Sequence, residues 1–142
     1  MGVTSVMFEP TRSLLTSSST GLERWLIAEE RNAPGLLKIG RPQLIPPAGS
    51  NSMIATSEDG RVPAAAHYSG GLVLHQDRPA KPIRLSPHED GRHIAASPDG
   101  IWIANGSFWG TKVKISEART GKLPHELPVE VGSDVRLSPR GR

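Results

Sequence analysis

The sequence predicts an all-β chain built of short, four-stranded antiparallel sheets, and three observations predict it. A turn-forming tetrapeptide recurs: Glu9-Pro10-Thr11-Arg12, Ser57-Glu58-Asp59-Gly60, Ser97-Pro98-Asp99-Gly100 and Ser138-Pro139-Arg140-Gly141. These tetrapeptides begin 48, 40 and 41 residues apart, and a fixed period of that size marks a repeat architecture. The apolar residues between them alternate with a period of two, as in Lys112-Val113-Lys114-Ile115, which puts the valine and isoleucine on one face of a strand. Finally, 15 glycines and 13 prolines among 142 residues interrupt any long helix.

Each repeat reads as four short strands. The first strand precedes the tetrapeptide: Val6-Met7-Phe8, Met53-Ile54-Ala55 and Ile94-Ala95-Ala96, with Val135-Arg136-Leu137 beginning a fourth repeat. Asp59-Gly60 and Asp99-Gly100 then sit between two apolar runs, a strong hairpin signal because glycine accepts a positive φ. The second strands are Leu14-Leu15, residues 62–66 and residues 101–104. Polar or glycine-rich turns follow, at 17–21, 69–71 and 106–111. The third strands are 22–27, 72–75 and 112–115, and the fourth are Leu44-Ile45, 82–85 and Glu126-Leu127. The longer first interval requires an insertion, and the polar stretch 28–35 is its natural place.

A four-stranded sheet cannot close a core alone, so one copy must lie on the next, as blades do in a β-propeller. Pro42, Pro79, Pro82, Pro87, Pro124 and Pro128 fall in or beside the fourth strands, where an outer edge tolerates a missing N–H. Pro63 lies within a second strand, and a bulge is expected there.

These residues resemble the WD40 repeat family in its divergent bacterial form. The third repeat matches best, through RHIAASPDG at 92–100, IWIANGS at 101–107, GTKVKISE at 110–117 and TGKL at 120–123. SEDGRV and GGLVLHQD carry the second repeat, and VTSVMFEP, LLTSSSTG and LERWLI the first. The family's tryptophan at the end of the third strand is matched by Trp25 alone, and its histidine before the first strand by His88 at best. The resemblance implies a partial WD40-like β-propeller: blade 1 over 1–47 with the insertion near 28–35, blade 2 over 48–88, blade 3 over 89–128, and the first strand of an incomplete blade 4 over 129–142. It further implies part of a longer array or a truncated reading frame; alone, such a chain would have exposed blade faces and be prone to self-association.

Composition removes several classes of function. The net charge of +3 is scattered, with Lys112 and Lys114 the densest pair and Arg136, Arg140 and Arg142 a loose basic end, so no nucleic-acid stripe is present. No stretch approaches the roughly 18 apolar residues of a membrane helix. The absence of cysteine excludes a disulfide scaffold, and with no signal peptide in view the expected location is cytoplasmic. His67, His75, His88, His93 and His125 lack metal-ligand spacing, so no metal and no cofactor is expected. The acids cluster at turns, no nucleophile or phosphate-loop motif occurs, and no enzyme activity is expected. Asn105-Gly106-Ser107, formally a glycosylation sequon, reads as a turn.

The informative exception is aromatic. Phe108-Trp109 and Tyr68 occupy corresponding turns of the third and second repeats. In the resembled family this end commonly receives partner proteins, and exposed Trp and Tyr are common anchors. The expected site is therefore Tyr68, Phe108 and Trp109 as apolar anchors, with His88 and Lys112 as a polar rim. The alternative for Trp109 is to fold back over the blade edge or a neighbouring loop. The expected function is a non-catalytic scaffold that mediates protein–protein interaction. Two alternatives remain open: the propeller portion of a larger enzyme, as in a hydrolase or protein kinase fusion, or a truncated product without independent function.

Overall fold

A computed structural model describes residues 2–47, 49, 51–78 and 81–139, with backbone alone at 51 and 52. Every regular element in it is a strand. Among the described residues no helix is long and apolar enough to cross a membrane.

Three antiparallel sheets follow one another along the chain. The first contains β1 (Val3–Glu9), β2 (Ser13–Ser18), β3 (Leu22–Glu29), β4 (Leu37–Ile39) and β5 (Gln43–Ile45). The second is a meander of β6 (Asn51–Thr56), β7 (Pro63–His67), β8 (Gly70–Val73) and β9 (Ile83–Arg84). The third repeats it with β10 (Gly91–Ala96), β11 (Trp102–Ser107), β12 (Lys112–Glu117) and β13 (His125–Pro128).

The recurring tetrapeptides are the hairpin turns between first and second strands, and two of them are built alike. Ser57 Oγ donates to Asp59 Oδ1 at 2.7 Å and Ser97 Oγ to Asp99 Oδ1 at 2.6 Å. Each serine oxygen also accepts the backbone N–H five residues on, from Val62 and Trp102. Gly60 and Gly100 take φ of 73° and 72° to close them. In the first turn Glu9 stands for serine, and Arg12 holds a φ of 60°. Arg140 and Gly141 of the fourth tetrapeptide lie outside the described residues, as does Pro79.

The sheets pack face on face, and strand alternation sorts the core. In β7, Ala65 joins Leu15, Leu22, Ile45 and Leu74 between the first and second sheets. Its neighbours Ala64 and Ala66 join Val73, Leu85, Ile94, Ile103 and Ala118 between the second and third. The middle sheet is thus covered on both faces, and the alanines of β7, poor strand formers by themselves, are held in a strand by burial from both sides. Polar ties cross the same interfaces. Ile54 N–H donates to Ser5 Oγ, Glu58 N–H to Pro98 O at 3.0 Å, and His75 Nε2 to Ala118 O at 2.8 Å.

Three expectations need correction. The register shift in the second sheet falls between Asn51 and Ile54, at the start of β6, rather than at Pro63. Pro63 opens β7, a position where its missing N–H interrupts no interior ladder. The other two sheets shift at the corresponding place, between Val3 and Ser5 and between Gly91 and His93. Asn105, Gly106 and Ser107 form the end of β11 rather than a turn, with Asn105 buried. Residues 132–137 form no strand ladder. They do cover the outer face of the third sheet, where Val135 packs with Ala95, Ala104 and Val113, and Val129 and Leu137 lie alongside. Gly106 permits this close approach, since a Cβ there would collide with Ser133 O.

The stretch 28–35 is spent on lengthening β3 and turning into β4, which pairs only with the far half of β3. The near half pairs with β5, the counterpart of β9 and β13.

Candidate functional site

The site lies at the end of the sheets where β7 turns into β8 and β11 into β12. Three contacts bring these turns together. Asn105 Nδ2 donates to Gly70 O at 2.7 Å, joining β11 to the neighbouring turn. His88 N–H donates to Ser69 O, and Phe108 N–H to Asp90 O. A Cβ on Gly91 would stand 2.9 Å from Gly70 O and 3.0 Å from His67 O, so the absence of a side chain lets the third sheet approach the Tyr68 turn. From the other side residues 129–133 clamp the Phe108 turn, with Val129 N–H on Thr111 O, Gly132 N–H on Gly110 O and Ser133 N–H on Ser107 O.

The three aromatic residues stand on this end, and all are exposed: Tyr68 at 65%, Phe108 at 46% and Trp109 at 68%. Phe108 and Trp109 pack edge to face, with centroids 4.7 Å apart and planes at 89°. Trp109 therefore leans on its neighbour without folding back under a loop. The Arg92 guanidinium lies 5.0 Å from the Phe108 ring centre, a cation–π distance. Arg92 is itself oriented by Asp90, whose Oδ1 accepts from Nε at 2.8 Å. Tyr68 occupies the adjoining turn. Val131 adds a fourth exposed apolar side chain on the clamp.

The two rim residues behave differently from one another. His88, expected on the polar rim, is buried at 5% exposure. Its Nε2 donates to Lys112 O at 3.0 Å, which fixes the tautomer and ties the linker before β10 to β12. Burial, followed by the nearby Lys114 cation, lowers its pKa below the ordinary value, while backbone hydrogen bonds oppose the shift. Lys112 does lie on the rim, but its ammonium is already engaged by Glu126 Oε2 at 2.7 Å. Lys114 reaches the other Glu126 oxygen at 3.7 Å and donates to Pro87 O. Lys112, through its hydrogen bond, is the main cause that holds the Glu126 carboxyl below its usual pKa.

Between these groups lies a shallow groove of about 200 Å³, lined by His88, Glu89, Gly110, Thr111, Lys112 and Lys114. It is smaller than the roughly 300–1,000 Å³ that encloses a substrate-sized ligand, and it suits a single partner side chain. Arg92, Asn105 and Val131 escaped sequence reasoning. Arg92 and Val131 are common surface residue types, and Asn105 acts across two sheets, so none carries a local pattern.

No family model matches the chain, and no curated protein matches it either. Among solved structures the chain is similar to a chain of Kuenenia stuttgartiensis Hydrazine Synthase, with a TM-score of 0.68 at 13% sequence identity. The match covers 99% of this chain and 40% of that one, so this chain spans two fifths of the length of the protein it resembles. At that identity the likeness carries the all-β, sheet-upon-sheet fold and nothing of its chemistry.

Proposed function

We propose that this chain is a non-catalytic, WD40-like portion of a β-propeller, cytoplasmic, that binds a protein or peptide partner through the end bearing Tyr68, Phe108 and Trp109. Three consecutive meanders stacked face on face support the propeller assignment, because each sheet uses the same face toward its predecessor. The observation that carries the binding assignment is the Phe108–Trp109 pair, two large rings held in fixed mutual geometry while Trp109 stays 68% exposed. Rigid aromatic side chains bury much area at little entropic cost, which makes them binding anchors. Lys112 contributes at the rim through its methylenes, and His88 acts from below by positioning the β12 backbone. No metal, cofactor, nucleic acid or membrane surface is required.

Selection of a displayed peptide library on the immobilised chain tests this. Selected peptides should lose about tenfold or more in affinity to a Phe108→Ala/Trp109→Ala variant whose thermal melt is unchanged. Equal binding by that variant rejects the site.

One observation favours a second assignment, the β-sheet portion of a larger enzyme: the similar solved chain is named for an enzyme and is two and a half times as long as the part matched. A catalytic domain encoded contiguously with these residues would support it.

A further inference from the structure

We infer that the partner taken up at the loop end is an acidic, extended peptide whose carboxylates enter two neighbouring grooves, one on each side of the Pro87–His88 linker. The inference rests on the loop-end binding proposed above and adds the chemistry of the partner.

One of these grooves is the groove already described, lined by His88, Glu89, Lys112 and Lys114. The other, of about 150 Å³, is lined by Pro47, His67, Ser69, Arg84 and Pro87, and so flanks the Tyr68 turn. The two occupy the same place in successive repeats. Leu72 lines the second groove and Lys114 the first, and these residues hold equivalent register, opposite Ala65 in β7 and Asn105 in β11. Each groove also lies against the linker that leads into a first strand, at Pro47 before β6 and at His88 and Glu89 before β10.

The grooves adjoin. Pro87 lines one and His88 the other, and Lys114 Nζ donates to Pro87 O across the division. Consecutive residues of one linker thus wall both, so a single bound segment reaches both. In an extended segment, side chains two residues apart project to the same side about 7 Å apart. Each groove is too small for more than one side chain.

Charge selects which side chains enter. The two linings carry three cations, Arg84, Lys112 and Lys114, and one acid, Glu89. Glu126 stands outside the linings and is shared by both lysines, at 2.7 and 3.7 Å, so it neutralises only one of them. No ion pair engages Arg84 among the described residues. A carboxylate in the Arg84 groove forms charge-assisted hydrogen bonds with the guanidinium, two in parallel where the fork faces it. Exposed Tyr68, Phe108 and Trp109 lie beside the grooves and shield those bonds from water once a partner covers them. A basic segment would bring like charge against the three cations, a juxtaposition that rejects wrong partners.

Peptides selected from a displayed library on the immobilised 142-residue chain test the inference. They should carry two acidic residues in an acid-x-acid pattern beside an apolar residue, and their affinity should fall as salt rises. The same peptides with glutamine for both acids should bind about tenfold or more weakly. Arg84→Glu should weaken the acidic peptides by about tenfold or more, and Glu89→Gln should tighten them by about threefold. Both side chains are exposed, and an unchanged thermal melt separates lost binding from lost folding. Selected peptides that depend on Phe108 and Trp109 yet are neutral or basic, or that bind Arg84→Glu undiminished, would overturn the inference and leave the loop-end site standing. Peptides indifferent to Phe108→Ala/Trp109→Ala, or a selection that yields no binder, would remove the loop-end site and the inference with it.

Discussion

Arg24 holds Glu9 through two parallel hydrogen bonds, Nε to Oε2 and Nη2 to Oε1, each 2.7 Å long. The Glu9 side chain is 1% exposed, and its Oε2 also accepts from Ser13 Oγ at 2.7 Å. Here the first repeat replaces the serine of the other turns with a carboxylate and supplies a guanidinium from β3 to neutralise it. Removing one partner strands a buried charge. Arg24→Ala is expected to lower stability by about 3 kcal/mol, read as a fall in the urea midpoint. Glu9→Ala combined with Arg24→Ala should cost less than Arg24→Ala alone. A loss within about 0.5 kcal/mol for the single variant would instead place the pair among exposed ion pairs.

Ser97 illustrates the same turn in its uncharged form. Its oxygen donates to Asp99 and accepts from Trp102 N–H, and the residue is buried. Ser97→Ala should cost about 1–2 kcal/mol, since Trp102 N–H loses its partner. The Ser97 hydrogen bond, and after it the Ile101 N–H, hold the Asp99 carboxyl below its ordinary 3.8. A depressed carboxylate contributes stability that is complete above the unfolded value and is lost as pH falls through the folded one. An NMR titration should show the Asp99 carboxyl returning toward its ordinary value in Ser97→Ala, and an unmoved titration would rule out that cause.

Arg12 occupies the left-handed position that Gly60 and Gly100 fill in the other turns. An L-residue there costs about 1–2 kcal/mol, part of which a glycine gives back through greater freedom of the unfolded chain. Arg12→Gly should therefore stabilise the chain by about 0.5–1 kcal/mol in a thermal melt. Gly100→Ala should destabilise it by more than that, because the new Cβ would stand 2.9 Å from Val62 Cγ2. A destabilising Arg12→Gly would show that the arginine side chain contributes contacts that outweigh its backbone cost.

His88 makes stability depend on pH near neutrality. Burial, then Lys114, depress its pKa below 6.5 in the folded chain. The unfolded chain takes up the proton first as pH falls, so the contribution of the neutral ring is complete above about pH 6.5 and is lost on acidification. Melting temperature should drop between pH 7.5 and 5.5. His88→Gln keeps an N–H for Lys112 O and should flatten that part of the profile, whereas an identical slope in the variant would assign it elsewhere.

Most of the architecture was legible because its signals are local. The Asp-Gly turns, the alternation in 112–115 and the prolines beside the fourth strands each depend on residues within one hairpin, and all the strands they imply in the three repeats are present. The fourth repeat was less legible. Val135 and Leu137 do pack on the third sheet as an additional strand would, but a ladder requires a partner strand that the described residues do not supply. At the candidate site, exposure of Tyr68, Phe108 and Trp109 followed from their place in turns. The burial of His88 did not, because it is created by the third sheet closing over the linker.

The sequence by itself determined the period, the strand order and the turn chemistry, since each arises from backbone preferences and side-chain alternation over a few residues. Only the tertiary structure decided which faces are covered. Burial is set by residues distant along the chain, so Ile54 and Val6, similar in kind and equivalent in register, end respectively beneath a sheet and in solvent.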